Sequence, residues 1–399
     1  MYLGYRNLIG SLKNHPLSNE TVALSDIDGV LDSVDDLTFK KEAVRAFVVL
    51  QNIFAELNFL TGRYGNLFAN IGIPTLRQNG FDFTKPFSYY AEMGGVKVSL
   101  VEGNPPTEKR NLMLKMLDDE KKSYIVSPKT QTRRFWVAEL IAPLITEELR
   151  ELIWQATKQA LANLAGARKL IKFSPTFEEK TVDSWAHLIY NRELENITKG
   201  TVTTSGGNIL PEYSDMTHTI NAEFGGEVAS EINKALHQYN NSHNNLKLHA
   251  SHHPEAGCVE VLFEGIDKYQ TSQQIISSMI KNISPKQIPH VVTFGDSFND
   301  VKMAQAAKAL NCYSTHFHFG ESSSFREKFY DLEKNERPDC SVVFPTFDLM
   351  YMYNPSTTSV TTSGVALWWI IQGIIKQGKH CRWSSLLLHL RNMGAEVLS

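Results

Sequence analysis

The chain has 399 residues and a net charge of −3, with 42% hydrophobic and 21% charged residues, enough for about two or three domains and a sizeable core. Phosphate-backbone binding needs a clustered basic excess, and this balance has none, so nucleic acid is not an expected partner. Four dispersed cysteines, Cys258, Cys312, Cys340 and Cys381, form no C-x-x-C pair, which argues against structural zinc and a disulfide framework. Residues 1–16 lack the continuous apolar segment of a secretory signal, and the most apolar stretch elsewhere, 365–375, is too short for a bilayer, which takes about 20 residues. A cytoplasmic protein without a membrane span is expected. Its oligomeric state is not legible.

In chain order, residues 21–31 are an apolar run ending in Asp26-Ile27-Asp28-Gly29. This reads as a buried strand whose carboxyl end turns at Gly29, the end where open α/β sheets bind ligands. Residues 40–57 carry apolar positions at helical spacing, and 58–63 form a second short strand ending in Thr61-Gly62-Arg63. Strand, helix, strand implies a parallel pair with a right-handed crossover. After the turn signal Asn79-Gly80 the pattern loosens. Strand-like pieces fall at 95–101, 122–126, 170–173 and 218–223, helical spacing at 147–164 and 227–239, and polar loops at 201–208 and 240–245. Residues 257–263 read as the last strand of this region. Gly265-Ile266-Asp267-Lys268 then leads into a helix over 271–283. A third buried strand, 289–294, runs into Gly295-Asp296-Ser297-Phe298-Asn299-Asp300 and a helix at 301–309, and 339–344 and 359–365 look like further strands before a closing helix at 366–375.

Two carboxylates one residue apart repel unless a cation sits between them or one keeps its proton. Either outcome suits phosphoryl transfer, which needs an in-line nucleophile, positive charge on the equatorial oxygens, a metal and a proton for the leaving group. Asp26 can attack as a carboxylate and Asp28 can supply the acid. Thr61 offers a hydroxyl, the amides around Gly62 offer donors, Lys268 a cation, and Asp296 with Asp300 oxygen ligands for Mg²⁺. Taken singly, each piece fits a plain reading: a polar turn, a strand terminus, a solvated lysine. Their joint order on strand ends is what points to a site.

These four stretches resemble the haloacid dehalogenase (HAD) superfamily of phosphatases, and within it the Cof-like and sucrose-phosphatase-like branch with a large C2-type cap. The resemblance covers about residues 21–377. It implies that Asp26 is the nucleophile and a Mg²⁺ ligand, and that Asp28 is the general acid and base with its main-chain carbonyl at the metal. Thr61, Gly62, Lys268 and Asn299 would serve the phosphoryl group. Asp296 would bind Mg²⁺, and Asp300, also at the metal centre, would steady its waters and Lys268 together with Asn299. Val30 stands where the family more often has threonine.

The expected fold is α/β: a doubly wound, Rossmann-like, mostly parallel core with an inserted α+β cap. The parts are core at 1–80, cap at 81–264, core again at 265–377 and a C-terminal tail at 378–399. The expected activity is Mg²⁺-dependent hydrolysis of a small phosphorylated metabolite such as a phosphosugar, through an aspartyl-phosphate. A phosphoprotein phosphatase, a protein-binding module using the enlarged cap, and a phosphomutase stand as alternatives. His243, His249, His252 and His253 read as a polar loop before a strand rather than a metal cluster, because no acidic partner has ligand spacing. His316 and His318 alternate with Phe317 and Phe319 as in a half-buried strand. Trp368-Trp369 reads as core, and Arg133-Arg134 as a solvated pair in the cap.

Overall fold

The computed structural model describes residues 21–31, 39–62, 72–102, 111–113, 124–126, 133–141, 152, 155, 173–180, 185–192, 201–205, 215–219, 222–242, 247–253, 258–281, 283, 288–320, 322–345, 362–377 and 382–399. Strand β1 (Thr21–Ser25) is buried at every position. Ala23 joins the core under one face of the sheet, and Val22 and Leu24 join the core on the other. A strand covered on both faces has no solvent side, which is why it reads as a continuous apolar run.

Helix α1 (Lys41–Leu50) buries Val44, Phe47 and Val48 and ends sooner than its apolar spacing suggested. The chain then turns into β2 (Glu56–Leu60), parallel to β1. A short helix α2 (Ile73–Gln78) leads to β3 (Ser88–Ala91), parallel to β2. Strands β4 (Val96–Glu102), β5 (Asn111–Met113), β6 (Tyr124–Val126) and β7 (Arg133–Leu140) continue the same sheet in antiparallel fashion. The sheets therefore do not divide at residue 81. Pairing of Phe59 with Tyr89 ties β3 to the core, and Trp136 on β7 is fully buried against Phe83 and Phe87. Arg133 and Arg134 thus begin a strand of the core sheet.

A second sheet is antiparallel throughout. It holds β8 (Phe173–Lys180), β9 (Trp185–Arg192), β10 (Thr201–Ser205), β11 (Asp215–Thr219), β12 (Leu248–His253) and β13 (Cys258–Phe263), with helix α3 (Ala222–Ser242) between β11 and β12. Residues 201–205, read as loop, are strand, and so are His249, His252 and His253. Strand β12 lies at the sheet's edge, where unpaired backbone groups invite foreign pairing. Two asparagines from α3 occupy those groups. Asn233 and Asn240 each exchange two 2.8 Å hydrogen bonds with the backbone, of Ala250 and Leu248 respectively. The helix expected at 147–164 lies outside the described residues apart from Leu152 and Gln155, both helical.

The chain returns to the first sheet through α4 (Lys268–Ile280), β14 (His290–Gly295), α5 (Val301–Ala309), β15 (Tyr313–His318), α6 (Ser322–Asp331) and β16 (Cys340–Val343). With a last strand β17 (Glu396–Leu398), strand order is β17-β16-β15-β14-β1-β2-β3-β4-β7-β5, with β6 on β7. The central run from β16 to β3 is parallel, so the core is the doubly wound sheet expected. α4 and α5 cover one face, α1 and α7 (Thr362–Gln377) the other. Residues 362–365, read as strand, open that last helix. Trp368 and Trp369 pack against its core as partly buried residues, whereas His316 and His318 are fully rather than half buried. The C-terminal residues belong to the core too. α8 (Trp383–Asn392) buries Leu386 and Leu390, and β17 (Glu396–Leu398) pairs antiparallel with β16, Val397 opposite Val342. Among the described residues no helix is long and apolar enough to cross a membrane.

Candidate active site

Three adjacent parallel strands, β14, β1 and β2, end side by side. Directly beyond them lie Asp296, Asp26 with Asp28, and Thr61. Strand order reverses at β1, which lies between β2 and β14, so this is the switch point where such sheets open a crevice. Gly29 makes the turn possible. It sits at φ +64°, and a Cβ there would fall 1.9 Å from Asp296 Oδ2, so any side chain would be both strained and in collision.

Lys268 enters from the first turn of α4, held by the N-cap Asp267, whose carboxylate accepts from Gln270 N at 2.8 Å. Its ammonium donates to Asp26 Oδ2 at 2.7 Å and to Asp300 Oδ1, and all three side chains are buried. Asp300 Oδ2 accepts from Asp296 N (3.1 Å), Ser297 N (2.9 Å) and Ser297 Oγ (2.9 Å). Both oxygens of Asp300 are therefore occupied within the protein. Ser297, which sequence reasoning assigned no role, forms a reciprocal capping box with Asp300; the Ser-x-x-Asp spacing was the available signal. Thr61 is fully buried and its Oγ1 donates to Asp28 Oδ2 at 3.3 Å. Gly62 closes that strand end. Asn299 and Lys268 line one cavity together. Asn79 and Gly80 stand apart from this group at the end of α2, where Asn79 Nδ2 bonds Thr75 O.

The electrostatics follow from four carboxylates sharing one ammonium. Burial pushes Asp26 well above the usual carboxylate range against the pull of Lys268. Burial, reinforced by Asp300, raises Asp296 to about 7. Asp300 goes the other way: burial opposes its charge, but Lys268 and the Ser297 amide outweigh it and hold it at about 2. The same two carboxylates, Asp26 and Asp300, overcome the burial of Lys268 and keep its ammonium protonated above its ordinary value. Negative charge is in surplus, which is what a hard divalent cation relieves. Asp26, Asp296 and Asp300 each offer a carboxylate oxygen within 4.8 Å of the others, an all-oxygen set that fits Mg²⁺.

Beside Lys268 opens a cavity of about 500 Å³, walled by Lys268, Asn299 and Lys302 of the core and by Lys247, His249 and Ser251 of the second sheet. The last three alternate along the β12 edge with Leu248 and Ala250, which are buried. The period of two leaves Leu248 and Ala250 buried between more accessible neighbours.

Residues 147–311 match the family model of the haloacid dehalogenase-like hydrolases. The matched stretch holds Lys268, Asp296, Asn299 and Asp300; Asp26, Asp28 and Thr61 lie outside it and meet it across the sheet. No curated protein matches the chain. Among solved structures it is similar to trehalose-6-phosphate phosphatase of Aspergillus fumigatus, with 14% identity over 80% of this chain and 89% of that one and a TM-score of 0.39. A haloacid dehalogenase-like hydrolase of Bacteroides thetaiotaomicron shows 10% identity, 77% and 91% coverage and a TM-score of 0.36. A HAD subclass IIB sugar phosphatase shows 14%, 77%, 90% and 0.36.

Proposed function

We propose that the chain is a Mg²⁺-dependent phosphate monoester hydrolase that works through an aspartyl-phosphate on Asp26, with a small phosphorylated metabolite, such as a phosphosugar, as substrate. The observation that carries the reading is the buried Lys268 ammonium held between Asp26 and Asp300, beside the Asp28–Thr61 pair at the ends of adjacent parallel strands. Asp26 attacks phosphorus in line while Asp28 gives its proton to the departing ester oxygen, so the P–O bond to the alcohol breaks as the bond to Asp26 forms. Asp28 then takes a proton from water, whose oxygen attacks the same phosphorus and frees phosphate and the Asp26 carboxylate. Lys268, Thr61 and the amides near Gly62 hold the equatorial oxygens, where charge grows. Bound to Asp26, Asp296 and the Asp28 main-chain carbonyl, Mg²⁺ would neutralise that charge. Asp300, with both oxygens engaged, acts on Lys268 and on the loop that bears Asp296.

The second sheet serves as the cap, and its polar edge meets the leaving group. A cleft of about 500 Å³ lies in the range that encloses small ligands, which favours a compact metabolite over a folded phosphoprotein. A screen of phosphorylated metabolites and phosphopeptides for Mg²⁺-dependent phosphate release tests the proposal. Release from sugar phosphates is the expected result; release from phosphopeptides alone, or phosphorylated product in place of free phosphate, would overturn it.

A further inference from the structure

Between β3 and β4 the chain makes a tight turn through Glu92-Met93-Gly94, and Met93 adopts φ +55°. A non-glycine residue in the left-handed region persists only where its surroundings impose it, and such positions cluster at functional sites. Here the surroundings are the two phosphate ligands. The Met93 amide donates to the Thr61 carbonyl at 3.0 Å, and the Thr61 amide donates to the Tyr90 carbonyl at 3.0 Å, so the Thr61 backbone is clamped on both sides. The Met93 carbonyl accepts from Thr271 Oγ1 at 2.7 Å. Thr271 lies three residues after Lys268 on the same buried face of α4. Gly94, at φ +104°, completes the fit: a Cβ there would lie 2.1 Å from Thr271 Cγ2, so the threonine side chain fills the space that glycine leaves.

We infer that the Met93–Gly94 turn, through Thr271, is a positioning element that sets the separation of Thr61 from Lys268 and hence the size of the phosphate-binding site. The inference rests on reading Thr61 and Lys268 as phosphate ligands. Thr271 and Met93 need not touch the reacting atoms. The turn transmits position through two backbone groups that have fixed partners, so a lost hydroxyl at Thr271 frees the α4 end of the clamp while Asp26 and Asp300 still hold the Lys268 charge. Because both ligands hold the phosphoryl oxygens in ground state and transition state alike, loosening them lowers phosphate affinity and kcat/KM together.

The test compares Thr271→Val, which keeps shape and loses the donor, with Thr271→Ser, which keeps the donor. On p-nitrophenyl phosphate with Mg²⁺, Thr271→Val is expected to lose about tenfold or more in kcat/KM and to weaken inhibition by inorganic phosphate by a similar factor. Thr271→Ser should restore both. Retention of both constants within about twofold in Thr271→Val would overturn the inference. Thr271→Ala repeats the comparison without a bulky methyl against Gly94. If neither the valine nor the alanine variant folds, the threonine holds the fold and the assignment is wrong. Should the wild-type protein hydrolyse no ester, the phosphatase reading fails by itself, while stabilisation of wild type and variant by inorganic phosphate, followed by thermal melting, still reports on the turn.

Discussion

The buried charge network of the core and the cap wall of the cavity are built in opposite ways. In the core, groups are fixed by one another: Lys268 by two carboxylates, Asp300 by four donors, Thr61 by a clamp of backbone bonds. On the cap side Lys247 and His249 stand exposed at an edge strand that is tied to α3 through the backbone of Leu248 and Ala250. Chemistry that repeats on every substrate benefits from preorganised charge. Recognition of one leaving group among many needs only a surface whose residues can change without disturbing the charge network. The difference predicts that core substitutions act on all substrates alike and cap substitutions on their ranking.

The largest effects should come from the core. Asp26→Asn removes the proposed nucleophile with little change of shape, and turnover on any ester should fall by about a thousandfold or more with the fold intact by circular dichroism. Retention of more than about a tenth of turnover would exclude the covalent route. Lys268→Met comes next. It leaves Asp26 and Asp300 buried without their cation, so kcat/KM should drop about a hundredfold on aryl phosphate and metabolite alike, and stability should fall by on the order of 3 kcal/mol. A ranking of substrates altered by Lys268→Met would break the comparison.

Metal dependence sharpens it further. Chelation with EDTA should abolish activity, and added Mg²⁺ should restore it. In the metal-free protein Asp296 holds its proton up to about 7, above its ordinary 3.8. A raised folded-state pKa means that stability from this group is complete below about 4 and is lost as pH rises through about 7. Mg²⁺ competes with that proton, so apparent Mg²⁺ affinity should weaken by up to about tenfold per unit as pH falls below that value. Titration calorimetry at several pH values measures it, and a pH-independent affinity would remove Asp296 from the ligand set. The smallest effect belongs to the cap. His249→Ala should change kcat/KM by about tenfold for the best metabolite and by less than about threefold for p-nitrophenyl phosphate. Equal losses on both would show that this wall takes part in the chemistry.

Much of the site was legible along the chain because its elements are local. A buried parallel strand is apolar at consecutive positions, and the polar residues just past its end must be there for some reason other than packing. That logic finds Asp26, Asp28, Thr61 and Asp296 one strand at a time. The capping box of Ser297 and Asp300 also lies within four residues, although its service to Lys268 does not. The cap strands at 201–205 and 248–253 escaped, because polar residues on an antiparallel edge have the composition of a loop until the pairing partner is known.

The strand ends and the residue types that stand there were readable along the chain, since burial and turn geometry leave their mark within a few residues. Tertiary structure alone decided which strands share a sheet. It joined β3 to β2 and β17 to β16, moving residues 88–140 and the C-terminus into the first sheet, against an expected break at 81 and a separate tail. It also brought Met93 between Thr61 and Thr271, a contact spanning 178 residues. Backbone hydrogen bonds between strands carry no side-chain signature of their partner, and a left-handed methionine is chosen by the groups around it rather than by its own propensity.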